Sequence, residues 1–175
     1  MARILIVPMD ADRRVSVHAL AVDLATLLHA ETTIAVSGPI VRPAFDASRR
    51  QYHSGAMLAM LLEYFSGTDS RILGITSHDL FLPVLTFVFG QAQLGNRGAL
   101  FSTHRLRNEF YGMPRSDDQL YQRTVKEAMH ELGHTYGLRH CLDAPCAMNA
   151  STYVEDIDLK PMHFCPACAE VVAAG

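Results

Sequence analysis

Between positions 130 and 140 the chain reads His-Glu-Leu-Gly-His-Thr-Tyr-Gly-Leu-Arg-His, three histidines and a glutamate in one short stretch. On a helix, His130 and His134 stand one turn apart on the same face, so their imidazoles can share a metal ion. Glu131 is rotated about 100° from His130 and can reach a water on that metal without being a ligand. A third ligand on a straight continuation would point away, so the helix must stop. Gly137 permits the left-handed turn that swings His140 back beneath the metal. Three imidazoles with an open fourth position describe a catalytic zinc site rather than a structural one. The competing reading is an amphipathic helix whose histidines merely edge the core. Requiring Gly137 and His140 on top of H-E-x-x-H makes a chance match rarer by roughly a few hundredfold.

The four cysteines, Cys141, Cys146, Cys165 and Cys168, all lie beyond this stretch, spaced C-x4-C and then C-x-x-C. Four thiolates satisfy tetrahedral zinc with no open position, which suits a structural site. Such a site can contribute on the order of 10 kcal/mol of apparent folding free energy to a coil-rich segment. Two disulfides, a rubredoxin-like iron, a redox pair at Cys165 and Cys168, and His163 in place of one cysteine stay open as alternatives. His140 and Cys141 are adjacent and would serve different metals. With Cα atoms about 3.8 Å apart, they put the two zincs within roughly 14 Å of each other.

Those residues need a frame. Residues 3–8 form a short apolar run, as in a buried parallel strand. Val17, Leu20, Leu24, Leu27 and Leu28 recur at helical spacing, and Thr32 to Val36 is β-branched. Residues 42–54 read as polar and mobile. Helical spacing resumes through Met57, Leu58, Leu61, Leu62 and Phe65, then residues 71–76 read as a strand. The order β-α-β-α-β implies right-handed crossovers and a parallel sheet. Residues 87–94 and 98–103 flank the turn signal Gly95-Asn96-Arg97-Gly98, so an antiparallel edge strand is expected there. Ser116 to Gln119 spells a capping box ahead of a helix expected over 117–136, with Tyr121, Val125, Ala128 and Leu132 on its buried face. Beyond it the chain reads as irregular.

At 175 residues the chain fits one domain with a sizeable core. A 49% apolar and 19% charged composition is that of an ordinary globular protein rather than a disordered one. A net charge of −3 without a basic stripe argues against nucleic acid. The apolar run at Ile4 to Val7 is too short for a signal peptide, and none reaches membrane-spanning length. The expectation is a cytoplasmic monomer with no nucleic-acid or membrane partner.

The pattern His130-Glu131-x-x-His134-x-x-Gly137-x-x-His140, with Met148 following, resembles the extended metzincin motif. Its continuation Cys141-x4-Cys146-x-Met148, then Cys165-x-x-Cys168, is similar to the archaemetzincins, which couple that site to a four-cysteine zinc. The match is dense over 130–168 and looser before it. The resemblance implies a metzincin-type α/β (α+β) fold, with a mixed, mostly parallel sheet, an antiparallel edge strand and packed helices. It implies a single catalytic domain over 1–175, divided into an upper subdomain (1–137) and a zinc-stabilised lower one (138–175). Carried over by position, Glu131 is the general base, Gly137 the turn residue and Met148 the apolar floor of the site. Phe89 to Leu94 resembles the family's upper edge strand, so Gly90, Gln91, Ala92, Gln93 and Leu94 are expected to bind substrate by β-augmentation.

Where astacin-like metzincins carry a tyrosine two residues after the methionine, Ala150 stands here. Tyr153 or Tyr136 could substitute, although Tyr136 near the helix end is expected to be packed. A loop at 42–54 or 105–115 could cover the cleft. The implied activity is hydrolysis of a peptide or protein substrate with two Zn2+, one catalytic and one structural. The alternative is a zinc-stabilised peptide-binding protein with a latent or weakly active site. A zinc deacetylase does not use this histidine pattern.

Overall fold

The structure is a computed structural model that describes residues 1–143 and 145–175. In chain order the elements are β1 (Arg3–Pro8), α1 (Val17–Leu28), β2 (Glu31–Ile34), β3 (Phe45–Asp46), β4 (Gln51–His53), α2 (Ser54–Tyr64) and β5 (Arg71–Thr76). They continue with β6 (Leu80–Phe81), β7 (Gly90–Ala92), β8 (Gly98–Ser102), α3 (Asp117–Thr135), α4 (Val154–Leu159) and α5 (Pro166–Ala174).

Five strands form the main sheet in the order β2-β1-β5-β8-β7. The first four run parallel, and β7 turns back antiparallel to β8 with Gly90 opposite Phe101 and Ala92 opposite Ala99. The expected mixed sheet with one antiparallel edge is what forms. β5 and β8 are buried nearly throughout, as central strands of a parallel sheet covered on both faces must be. Side chains alternate between the two faces. Ile4, Ile6, Leu73, Ile75, Ala99 and Phe101 meet α1 and α3, while Val7, Ile72 and Leu100 meet Met57, Leu58 and Leu61 of α2. The result is three layers, with β7 at the border nearest α3.

α3 carries the histidines, and its start is set by Ser116, whose hydroxyl accepts from the Gln119 N–H at 3.2 Å. Only that half of the capping box appears as read. The Gln119 side chain instead accepts from Asn108 (2.9 Å) and donates to Asp158 (3.2 Å). Val125, Ala128, Met129 and Leu132 bury the opposite face in the main core.

Two expectations are corrected. Residues 42–54 are not a mobile stretch. A 3-10 turn leads into β3 and β4, which join β6 in a separate three-stranded sheet. Asp46 organises the connecting turn by accepting from the Ser48 and Arg49 N–H groups, a local order that polar composition conceals. Nor is the chain beyond α3 irregular, because it contains α4 and α5. The Asp156 carboxylate accepts from the Thr152 and Tyr153 N–H groups at the start of α4, and Pro166 opens α5. α4 is bound to α3 by Arg123, which is buried and donates twice to Asp158 at 2.7 Å. Lys160, also buried, donates to Glu127 at 2.8 Å. Among the described residues no helix is long and apolar enough to cross a membrane.

Candidate active site and metal centres

The last two turns of α3 hold His130, Glu131 and His134. His130 Nδ1–H donates to the Ala147 carbonyl at 2.9 Å, and His134 Nδ1–H to the Leu138 carbonyl at 2.7 Å. A carbonyl only accepts, so each imidazole carries its proton on Nδ1 and offers the lone pair of Nε2. Burial, reinforced by the charge of Lys160, holds His130 well below the ordinary histidine pKa. Burial likewise lowers His134. Both rings are therefore neutral near pH 7, as metal ligands must be.

α3 stops where the sequence reading placed its end. Gly137 takes φ +89°, its N–H donating to the His134 carbonyl (2.9 Å) while the Leu138 N–H reaches back to Gly133 (3.2 Å). This Schellman pair closes the helix and turns the chain. His140 then returns, its ring centroid 5.2 Å from those of both His130 and His134. One nitrogen from each ring lies within 4.8 Å of the others. Two pinned neutral rings and a third exposed one fit a single zinc ion, which needs convergent nitrogens at about 2.0–2.1 Å.

Glu131 is buried beside them, and among the described residues no group hydrogen-bonds its Oε2. Burial, with the negative charge of Glu127, pushes its pKa well above the ordinary carboxylate value, and Lys160 opposes the shift. Gly90 of β7 makes room for it, because a Cβ there would come 2.5 Å from Glu131 Oε1. The edge-strand glycine thus has a role the sequence reading did not assign, as the surface against which the carboxylate lies.

Met148 is fully buried, and its thioether sits where a side chain at Gly133 would stand. Gly133 therefore lets Met148 press against α3 one residue before His134. Gly133 and the carbonyls of Ala147 and Leu138 were not singled out from sequence. A carbonyl's partner carries no residue-type signal, whereas Gly133 inside a helix does mark a close approach.

The cysteines gather in their own cluster. Their four sulfurs lie within 4.8 Å of one another, and all four are free of disulfides. The Cys165 and Met148 N–H groups point at Cys146 Sγ at 3.3 and 3.4 Å. The Cys168 N–H, in the first turn of α5, draws the Cys165 thiol below its ordinary value. Burial and the crowded sulfurs push Cys168 up. Four sulfurs that cannot ionise together without a cation, two of which already receive N–H donors, fit a closed metal site. The Cys-Pro-Ala-Cys arm opens a helix, with Cys165 as its N-cap.

A cleft of about 750 Å³ runs beside the histidines. Its walls come from residues 85–92 and Leu94 on one side, and from Glu127, His130, Glu131, His134, Arg139, His140, Ser151 and Thr152 on the other. Gly90, Gln91, Ala92 and Leu94, read from sequence as substrate contacts, are among the residues that line it. Gln93 does not; its N–H is spent on the Gly98 carbonyl. The Gln91 side chain accepts from Ser54 at 2.6 Å. Residues 42–54 and 105–115, suggested as covers, contribute nothing to the lining, and that place is taken by 85–89. Tyr136 is packed, with the Arg71 guanidinium 3.7 Å from its ring centre, and Tyr153 is 67% exposed outside the cleft. Neither fills the role considered for it.

The family model described as Peptidase family M54 matches residues 17–174. Among curated relatives, the archaemetzincin of Archaeoglobus fulgidus is 36% identical over 171 residues, 97% of this chain and 98% of that one. That of Thermococcus kodakarensis is 46% identical over 126 residues, 71% of this chain and 68% of that one. Among solved structures, that of the A. fulgidus archaemetzincin complexed with malonate superposes with a TM-score of 0.83 at 35% identity, covering 97% of this chain and 99% of that one. The chain belongs to Peptidase family M54, the archaemetzincins, and is a zinc metallopeptidase.

Proposed function

We propose that His130, His134 and His140 hold the catalytic zinc, that Glu131 is the general base, and that Cys141, Cys146, Cys165 and Cys168 hold a second, structural zinc. The observation that carries this assignment is the convergence of three imidazoles, two with Nδ1 committed to carbonyls, beside a buried carboxylate in an open cleft. Bound there, zinc supplies Lewis acidity that polarises the scissile carbonyl and brings the pKa of the attacking water towards neutrality. Glu131 takes the proton of that water at Oε2 and passes it to the leaving amine. Burial and the charge of Glu127 raise its pKa, which favours handing the proton on to the leaving amine. Gly90 keeps the carboxylate seated by leaving no side chain in its way.

The substrate is an extended peptide or protein segment. β7 is the terminal strand of the sheet, with its outer edge along the cleft, so Gly90, Gln91, Ala92 and Leu94 are positioned to add a substrate strand. Gly137 is the hinge between an upper lobe (1–137) and a lower lobe (138–175), with Met148 as the floor between them. Four free thiols suit the reducing cytoplasm, and we assign the protein there as a monomer.

Metal analysis with Glu131→Gln tests the reading. Two zincs per chain are expected, one lost quickly to a chelator. Glu131→Gln keeps both and loses about 10²–10⁴-fold in turnover on a proteome-derived peptide library. Wild-type turnover in that variant removes Glu131 from the role of base. Undiminished zinc in His140→Ala removes His140 from the ligand set.

A further inference from the structure

A peptidase must stabilise the negative charge that develops on the scissile carbonyl oxygen, and a hydrogen-bond donor aimed at that oxygen is a large part of the effect. The cleft is lined by several side chains with donor hydrogens, among them Gln91, Arg139, Ser151 and Thr152, and they differ in how firmly they are held. His130 and His134 have spent their N–H groups on Ala147 and Leu138, while the Gln91 amide is tied at its oxygen, which accepts from Ser54. Tyr136 has a buried hydroxyl without a partner, but it does not line the cleft. Arg139 lines the cleft as an exposed side chain. Ser151 combines both properties. It lines the same cleft as Glu131 and the histidines, and among the described residues no group hydrogen-bonds its buried Oγ.

Its placement is not loose. Ser151 lies three residues after Met148, on the segment whose Ala147 carbonyl holds His130. The Asn149 side chain ties that segment down by donating to the Cys141 carbonyl at 3.0 Å and accepting from the Cys146 N–H at 2.9 Å. A donor on a segment braced to the metal ligands keeps its distance to the reacting atoms. A serine hydroxyl also has three staggered positions about Cα–Cβ. Because Oγ has no partner among the described residues, no hydrogen bond to them must break for it to turn into the cleft.

We propose that the Ser151 hydroxyl donates a hydrogen bond to the oxygen of the scissile carbonyl as charge develops there, which makes Ser151 a catalytic residue. The proposal rests on the assignment of His130, His134, His140 and Glu131 as the reacting centre. No bond to Ser151 forms, and its proton stays on Oγ. An unpartnered buried hydroxyl is a cost to the free protein that an acceptor relieves. The relief is greatest when that acceptor is charged, so the interaction favours the transition state over the bound substrate.

The test compares zinc-loaded wild type, Ser151→Ala and Ser151→Thr in three measurements. Turnover of a peptide cleaved by the wild type should fall about 10²-fold in Ser151→Ala, with KM nearly unchanged, and recover in part in Ser151→Thr. Calorimetric binding of a phosphinic peptide, which mimics the charged oxygen, should weaken by the same factor, whereas a product peptide binds equally. The Tm of Ser151→Ala should equal or exceed that of the wild type, since a structural hydroxyl would be missed and an unpartnered one is not. Equal phosphinic affinity in wild type and Ser151→Ala, or a loss matched by the product peptide, overturns the proposal. The binding arm needs no turnover, so a wild type that cleaves nothing refutes the peptidase assignment while leaving this comparison readable.

Discussion

The most informative residue is Glu131, because its carboxylate is buried and unsatisfied while its neighbours are neutral histidines. In the metal-free protein this sets an opposition that acid titration can read. Burial lowers His130 and His134, so their unfolded forms take up protons first as pH falls below about 6.5 and stability is lost. Glu131 is raised, so its folded form holds the proton first and stability is gained over the range above 4.5. The two contributions oppose between those values. Glu131→Gln removes the gain, so the metal-free variant should lose stability faster on acidification, by up to about 1.4 kcal/mol per pH unit. Denaturant melts at several pH values measure this, and parallel slopes for the two proteins would refute it. Gly90 belongs to the same scale. Gly90→Ala drives a methyl into Glu131, and turnover should fall by roughly 10–100-fold with zinc content unchanged.

At the scale of elements, α3 is a helix whose ending matters as much as its length. Tyr136, Gly137 and Leu138 close it with hydrogen bonds that require a positive φ at Gly137, and the Gly95 N–H of the β7–β8 turn donates to the same His134 carbonyl at 2.9 Å. Gly137→Ala should therefore cost about 1–2 kcal/mol and weaken retention of the catalytic metal through His140. Gly137→Asn should be milder, since asparagine tolerates that region. Equilibrium melts and a zinc-chelator competition check both. The helix limits were legible in the sequence because Ser116 and Gly137 are local signals. The Gln119 side chain was misread because its partners, Asn108 and Asp158, are far apart in the chain.

Across the whole molecule the sulfur cluster and the main core are distinct clusters that meet through Phe164 and Val172. Leu138, Cys146, Met148, Cys165 and Cys168 form a small group of their own, whereas Val154 and Ile157 of α4 belong to the principal core. Stripping the two proposed zincs should thus loosen the chain unevenly. Hydrogen exchange should accelerate in α5 and around Cys141 to Met148, while α4 stays protected with the sheet. Uniform protection after chelation would show that sulfur packing alone suffices.

The histidine and cysteine spacings, the capping serine, the terminating glycine and the alternation of crossovers are short-range features; from sequence alone they determined the zinc-peptidase family and the parallel sheet and marked the candidate metal ligands. What only the tertiary structure decided is everything that depends on a partner distant in the chain. Gly90 meets Glu131 across the cleft, Gly133 admits Met148, Ala147 orients His130, and Ser151 stands unpartnered in the wall. Each pairing joins residues brought together by packing of the layers, and side-chain type at one end does not name the residue at the other.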